Sequence, residues 1–290
     1  MHSPTRLHKR GVTSVGHQGS LTDYQEASVL DGGLSRPSLR VRFFGYFELL
    51  CGDGKTVRLG RHAKPLAILK YLLSHRRAPV SQDYLMEWLW PDSNPERARW
   101  SLNSSIYKLR KLLRGELSLG ATSDYVLFDK GHYRLDPSIR VWADTEELEA
   151  RYERGRYLER AQRKPEAAAE YEEAIELYRG DYLPEDLYED WTMVERERLA
   201  NAYMDISGRL AGYYVETERC QESIQICYQL LERDRCHEYG HRLLMKCYAR
   251  LGLRGRALRQ YRLFEDILKR DWGMVPQPET RNLYRELLGR

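Results

Sequence analysis

The carboxy-terminal half of the chain repeats itself at a fixed interval of about 34 residues. At this offset five pairs of apolar or small residues match: Leu210 with Leu244, Tyr214 with Tyr248, Ser223 with Ala257, Ile224 with Leu258, and Leu230 with Phe264. A short helical repeat cannot bury its apolar face alone, so neighbouring copies must stack on one another. The interval therefore predicts an extended stack of helix pairs.

The same half reads as helix after helix from Asp144 onward, and an earlier copy of the turn and second helix begins near Pro165. Breaks in the helical pattern fall near residues 165, 180–184, 216–219, 234–236 and 252–255. A repeat interval of this length is typical of tetratricopeptide repeats. We predict that residues 138–290 form an all-α, tetratricopeptide-like domain.

A different pattern occupies residues 39–137. Alternating apolar residues from Leu39 lead to a turn at 51–54, which predicts a small antiparallel sheet. Three helical segments follow at 65–75, 81–89 and 95–113, and their starts carry the capping residues Ser81 and Asn94. Two β-rich runs at 125–128 and 132–135 predict a closing hairpin. This order is that of an α+β winged helix-turn-helix.

Charge is distributed unequally between these regions. The chain has 290 residues and a net charge of +4, but residues 39–137 hold 17 Lys and Arg against 10 Asp and Glu, whereas residues 138–290 hold 26 against 30. Residues 1–38 are rich in Ser, Gly and His without periodicity, and we predict a disordered tail. The basic excess therefore belongs to the winged-helix region, which favours a polyanionic partner there.

Membrane, secreted and catalytic classes are disfavoured. No apolar run approaches the ~18 residues that span a bilayer, and no apolar segment of a signal peptide follows the basic start, so we expect a cytoplasmic protein, nucleoid-associated when bound to DNA. Cysteine and histidine residues between 220 and 247 lack metal-ligand spacing and favour buried thiols. No nucleophile, acid–base pair or phosphate-binding loop emerges. We predict no enzyme activity, no metal and no cofactor.

The helix 95–113 carries the candidate binding face. At 100° per residue one face is apolar, consisting of Ala98, Leu102, Ile106, Leu109 and Leu113. The other side carries cationic, hydroxyl, amide and aromatic groups: Arg97, Trp100, Asn103, Ser104, Tyr107, Lys108 and Lys111. Such groups suit a DNA major groove, where Arg and Asn pair with base edges. The alternative is a charged face that is merely solvated.

Context favours DNA. The helix is the third of a trio, and the hairpin that follows bears Lys130, His132 and Arg134, as a wing would. Lys64, Arg76 and Arg77 are further candidates for phosphate contacts, with surface solubility as an equal alternative. We predict that double-stranded DNA binds through charge neutralisation of its phosphates and through groove readout.

Several segments together resemble bacterial transcriptional activators of the SARP/AfsR type, which join an OmpR-like winged helix to a bacterial transcriptional activator domain with tetratricopeptide repeats. The resemblance covers residues 39–288 and rests on the strand 41–45, the helix 64–73, Leu89-Trp90-Pro91-Asp92, Leu109-Arg110-Lys111-Leu112-Leu113, the wing end 131–135, and Tyr178-Arg179-Gly180-Asp181-Tyr182-Leu183. It implies a sequence-specific activator that binds direct repeats in promoter DNA, often as a homodimer, and engages RNA polymerase. Trp100 departs from the smaller polar residue expected on the binding face.

A rival interpretation keeps the same fold. The chain would then be a tetratricopeptide adaptor whose winged helix docks onto protein instead of DNA. A binding face covered by the chain's own repeats, or by its tail, would favour this alternative.

Overall fold

The computed structural model describes residues 38–58, 63–117 and 124–289. The predicted tail lies outside the described residues except for Ser38, which begins the first strand. The strands are β1 Ser38–Arg42, β2 Glu48–Cys51, β3 Val80–Ser81, β4 Val126–Asp129, β5 His132–Leu135 and β6 Arg140–Ala143. The helices are α1 Ala63–Ser74, α2 Gln82–Leu89, α3 Pro95–Leu117, α4 Asp144–Arg160, α5 Lys164–Leu177, α6 Asp190–Glu216, α7 Cys220–Arg233, α8 Glu238–Arg250, α9 Arg254–Trp272 and α10 Pro278–Gly289, with a 3-10 turn at Pro184–Asp186.

The first sheet has the order β2-β1-β6. Strands β1 and β2 pair antiparallel, as the alternation predicts, and the tight turn between 51 and 54 uses Gly54 at φ 82°. The sheet is not purely antiparallel, however, because β6 joins the other edge of β1 in parallel, with Val41 opposite Ala143. Strand β6 falls beyond residue 137, so the sheet of the winged helix extends into the range predicted for the helical domain.

The second sheet closes the winged helix. Its order is β3-β5-β4 with antiparallel pairing throughout, and β4 and β5 form the predicted wing hairpin. The wing turn places Lys130 at φ 44° and Gly131 at φ 79°, the two positive angles of a type I′ turn. Both predicted helix caps are present. Ser81 Oγ accepts the Asp83 N–H at 3.2 Å, and Asn94 Oδ1 accepts the Arg97 N–H at 2.8 Å.

Each of the helices α4 to α9 packs against the next helix along the chain. The repeat interval is visible in three dimensions, because both members of each matched pair have the same degree of burial. Leu210 and Leu244 are buried, as are Leu230 and Phe264, whereas Ile224 and Leu258 are both half-buried. The repeat prediction is therefore confirmed for the described helices.

The two regions share one apolar core. Phe44 packs on Tyr178 with ring centroids 4.6 Å apart, and Phe43 packs on Tyr182 at 5.5 Å. The buried Asp144 carboxylate at the start of α4 accepts the backbone N–H of Phe43 at 2.8 Å and that of Phe44 at 3.1 Å. These contacts join β1 and the loop after it to the first repeat, and they fix the orientation of the winged helix on the repeats.

Among the described residues, no helix combines the length and the apolar character that a membrane crossing requires.

Candidate nucleic-acid interface

Helix α3 presents two different faces. The residues that the periodicity assigned to the core are buried, and they pack toward α1 and α2: Ala98, Leu102, Ile106, Leu109 and Leu113. The opposite face is open to solvent, since all of its predicted members are exposed except Ser104, which is half-buried: Arg97, Trp100, Asn103, Tyr107, Lys108 and Lys111. The face expected to bind DNA is therefore free of the repeats.

A stripe of four residues runs along the middle of this open face. Trp100, Ser104, Tyr107 and Lys111 are spaced by four, three and four residues, so their side chains line up along the helix. At 1.5 Å per residue the stripe is roughly 16 Å long, which fits within the reach of a recognition helix in one major groove.

The wing braces α3 on one flank. Asn103 Oδ1 accepts the hydroxyl of the buried Tyr133 on β5 at 3.4 Å. The Arg110 guanidinium donates to the Val126 carbonyl oxygen from Nε at 2.9 Å and from Nη2 at 2.6 Å. Asp124 pairs with Arg114 near the end of the helix. These contacts hold the helix and the wing at a fixed angle, a role for Arg110 that its place in the sequence does not reveal.

The wing itself points its polar residues outward. In β5 the side chains of Tyr133 and Leu135 are buried, so His132 and Arg134 share the exposed face, next to the exposed Lys130 of the turn. His132 Nδ1 donates to the Lys130 carbonyl oxygen at 3.0 Å, which orders the tip. His132 and Arg134 therefore lie in solvent on the side of β5 opposite to Tyr133, and Lys130 lies in solvent at the turn.

The remaining predicted cations have partners within the protein. Lys64 Nζ donates to the Leu89 carbonyl oxygen at 2.7 Å. Arg76 and Arg77 both pair with Glu146 of α4, and burial lowers the pKa of Arg76 while Glu146 opposes that change. Arg77 keeps 83% of its side chain in solvent, against 16% for Arg76. Arg76 is therefore the least available of the three for a phosphate contact.

Three of the four cysteines of the repeats lie in the core, and the fourth, Cys236, is half-buried. Cys220, Cys227 and Cys247 are buried, and burial raises the pKa of Cys227 to about 12. Thiols in this environment stay protonated and behave as small apolar side chains. Within the described ranges, no three potential metal-ligating side chains come close enough to share an ion.

A winged helix with an open polar recognition helix, joined to stacked helix pairs, defines a DNA-binding transcription regulator. Two family models match the chain in this order: "Transcriptional regulatory protein, C terminal" over residues 54–126 and "Bacterial transcriptional activator domain" over residues 143–288. The chain belongs to the family of bacterial regulators that carry this activator domain, the SARP type.

Known relatives agree with this assignment. The chain is 25% identical over 226 residues to the transcriptional regulatory protein MoaR1 of Mycobacterium bovis and of Mycobacterium tuberculosis, which covers 78% of this chain and 72% of each relative. Its fold is similar to that of Mycobacterium tuberculosis EmbR, solved in complex with a low affinity phosphopeptide, with a TM-score of 0.72 and 24% identity. That match covers 88% of this chain but 65% of EmbR, so the chain spans less than two thirds of the EmbR structure.

Proposed function

We propose that this regulator activates transcription by binding promoter DNA through α3 and the wing while the helical repeats contact RNA polymerase. The open face of α3, together with the exposed cationic side chains of the wing that packs against this helix, is the observation that supports this most. In the proposed complex α3 lies in the major groove, and Lys130, His132 and Arg134 of the wing lie against the adjacent backbone or minor groove.

The charge division supports the same arrangement. The excess of Lys and Arg lies in residues 39–137, and the excess of Asp and Glu lies in residues 138–290. The basic winged-helix region attracts the phosphates of DNA, whereas the acidic repeat domain is repelled by them and remains available for protein contacts. We further propose that two copies bind one direct repeat. They would act in the cytoplasm, on nucleoid DNA, and without catalytic activity.

The adaptor alternative gains no support from the described residues. It calls for a covered face on the winged helix, but Trp100, Tyr107 and Lys108 all lie in solvent. The tail, which that alternative also invoked, lies outside the described residues.

The first experiment selects binding sites from a pool of random DNA duplexes and titrates the selected site with salt. We expect a direct-repeat motif and a steep fall of affinity with salt. Lys108→Ala should weaken binding to all sequences and reduce the salt slope by about one, if Lys108 contacts a phosphate. The matched control is Lys246→Ala, which removes an exposed lysine from α8 and should change neither quantity.

Base reading and activation need separate measurements. Asn103→Ala should relax the preference at one base pair of the selected site, and equal weakening on every sequence would contradict a base-reading role. In transcription assays with RNA polymerase, a promoter that carries the selected site should yield more transcript when the protein is added. A decrease would identify a repressor. Salt-sensitive binding without any motif would favour the adaptor alternative.

A further inference from the structure

The middle of the open α3 face is aromatic. Trp100 is 73% exposed and Tyr107 is 67% exposed, although they are among the largest side chains of the helix. Within the described part of the chain, neither ring makes a hydrogen bond, a ring contact or a cation–π contact. Two large rings held in water on a rigid helix have their apolar area available for a partner.

Two of the groups that can read bases by paired hydrogen bonds, Asn103 and Arg110, are placed to the side. Asn103 lies on the flank facing the wing, where its amide oxygen accepts the Tyr133 hydroxyl. The Arg110 guanidinium is occupied by the Val126 carbonyl oxygen. At the four positions of the central stripe, Ser104 and Lys111 carry small polar or cationic groups, and the exposed Arg97 lies one turn before Trp100. The chemistry at the centre of the reading face is therefore apolar over two of its four positions.

The major groove offers one apolar group to such a surface, the C5 methyl of thymine. Trp100 and Tyr107 are seven residues apart, which corresponds to roughly 10 Å along the helix and about three base-pair steps of the duplex. Two rings at this distance reach two separate base pairs within one half-site.

We propose that Trp100 and Tyr107 are specificity-determining residues that recognise thymine methyl groups in the operator, at two positions about three base pairs apart. The inference rests on the proposed function, since it assumes that α3 enters the major groove. It adds the base class that the regulator selects and the side chains that select it.

The test replaces each thymine of the selected operator, one at a time, by deoxyuridine, which removes only the C5 methyl. For the unaltered protein, two positions in each half-site should respond. Each single replacement at one of these positions should weaken binding about three- to fivefold, which is the effect of burying one methyl group. Trp100→Ala should abolish the methyl dependence at one of these positions, and Tyr107→Ala should abolish it at the other.

Matched controls come from the repeats. Trp272 and Tyr157 are 68% and 66% exposed, so Trp272→Ala and Tyr157→Ala remove comparable rings far from α3 and should preserve both methyl effects. Because all four side chains lie largely in solvent, the variants should keep the thermal unfolding midpoint of the parent protein.

The outcomes separate this inference from the proposed function. An operator motif whose affinity is indifferent to every deoxyuridine replacement overturns the thymine reading and leaves DNA recognition intact. The same holds if Trp100→Ala weakens all duplexes equally and keeps the methyl effects, because the ring would then lie against the backbone. Failure to select any motif contradicts the proposed function itself.

Discussion

Replacing Lys70 by Met should loosen the joint between the winged helix and the repeats. Lys70 lies on α1 with only 4% of its side chain exposed, and its Nζ is 2.9 Å from Glu185 Oε1 and 2.5 Å from Asp186 Oδ2. The ammonium group also lies 5.2 Å from the centroid of the Phe47 ring. Methionine keeps the length and apolar stem of lysine, so the substitution removes the charge and the hydrogen bonds with little change in packing.

The magnitude follows from the burial of the three groups. A hydrogen bond to a charged partner contributes about 1.5–3 kcal/mol, which sets an upper limit near 6 kcal/mol for the two contacts together. Glu185 and Asp186 keep 35% and 23% of their side chains in solvent, so water replaces part of what the lysine provided. We expect the free energy of unfolding to fall by about 2–3 kcal/mol.

Urea unfolding at equilibrium, followed by tryptophan fluorescence, measures this change. Lys55→Met is the control, because the Lys55–Asp53 pair lies on the surface and its loss should leave the midpoint in place. Combining Lys70→Met with Glu185→Gln and Asp186→Asn should restore about 1 kcal/mol, since no unpaired carboxylate would then remain. Two results would refute this reasoning. One is a fall of less than about 0.5 kcal/mol in the free energy of unfolding for Lys70→Met. The other is a triple variant in which the effects of the three substitutions simply add.

Three further predictions concern pH, the wing turn and the repeat interface. Burial lowers the pKa of His241, whose Nε2 donates to a backbone carbonyl oxygen and whose Nδ1 accepts from Gln260 at 2.7 Å. Its stabilising effect is therefore present above its unfolded pKa of about 6.5 and is lost as the pH falls, so His241→Gln should flatten the decline of the urea midpoint between pH 7.5 and 5.5. Lys130→Asn should raise the thermal midpoint, because Asn tolerates the positive φ of this turn better, and should reduce the salt slope of DNA binding by about 0.9 if Lys130 contacts a phosphate. Gly155→Ala should lower the free energy of unfolding by about 1–3 kcal/mol, measured in urea, because the new Cβ would overlap a carbon of the buried Tyr171 ring.

Most of the fold could be predicted because its signals are local. Apolar periodicity located the helices, capping residues located the starts of α2 and α3, and the repeat interval identified the stacked helix pairs. Strand β6 was not predicted, since it spans four residues and its partner β1 lies about a hundred positions earlier. A short strand that pairs in parallel with a distant one has little in its own sequence to distinguish it from the approach to a helix.

The open face of α3 was predictable for the same reason, whereas the pairing of the nearby cations was not. The alternation of apolar and polar residues along α3 determines which side chains face solvent. In sequence, Lys64, Arg76 and Arg77 resemble any other exposed cation. Only the folded chain shows that both arginines form salt bridges with Glu146. Whether a cation is available to DNA depends on acidic and carbonyl partners that the fold brings from distant positions.

The shared core has a consequence for how the two regions act together. Rotating the winged helix on the repeats would separate Phe43 and Phe44 from the tyrosines they pack on, and would leave the buried Asp144 carboxylate without its backbone donors. Exposing apolar rings to water and leaving a buried charge without hydrogen-bond partners both cost free energy. The contact between the winged helix and the repeats therefore resists such rotation. In the proposed complex, the direction in which the repeats extend from the DNA is therefore fixed by the position of α3 in the groove. If two copies bind a direct repeat, as proposed, both half-sites have the same polarity, so the two repeat domains would point the same way along the promoter, which suits contact with one asymmetric partner.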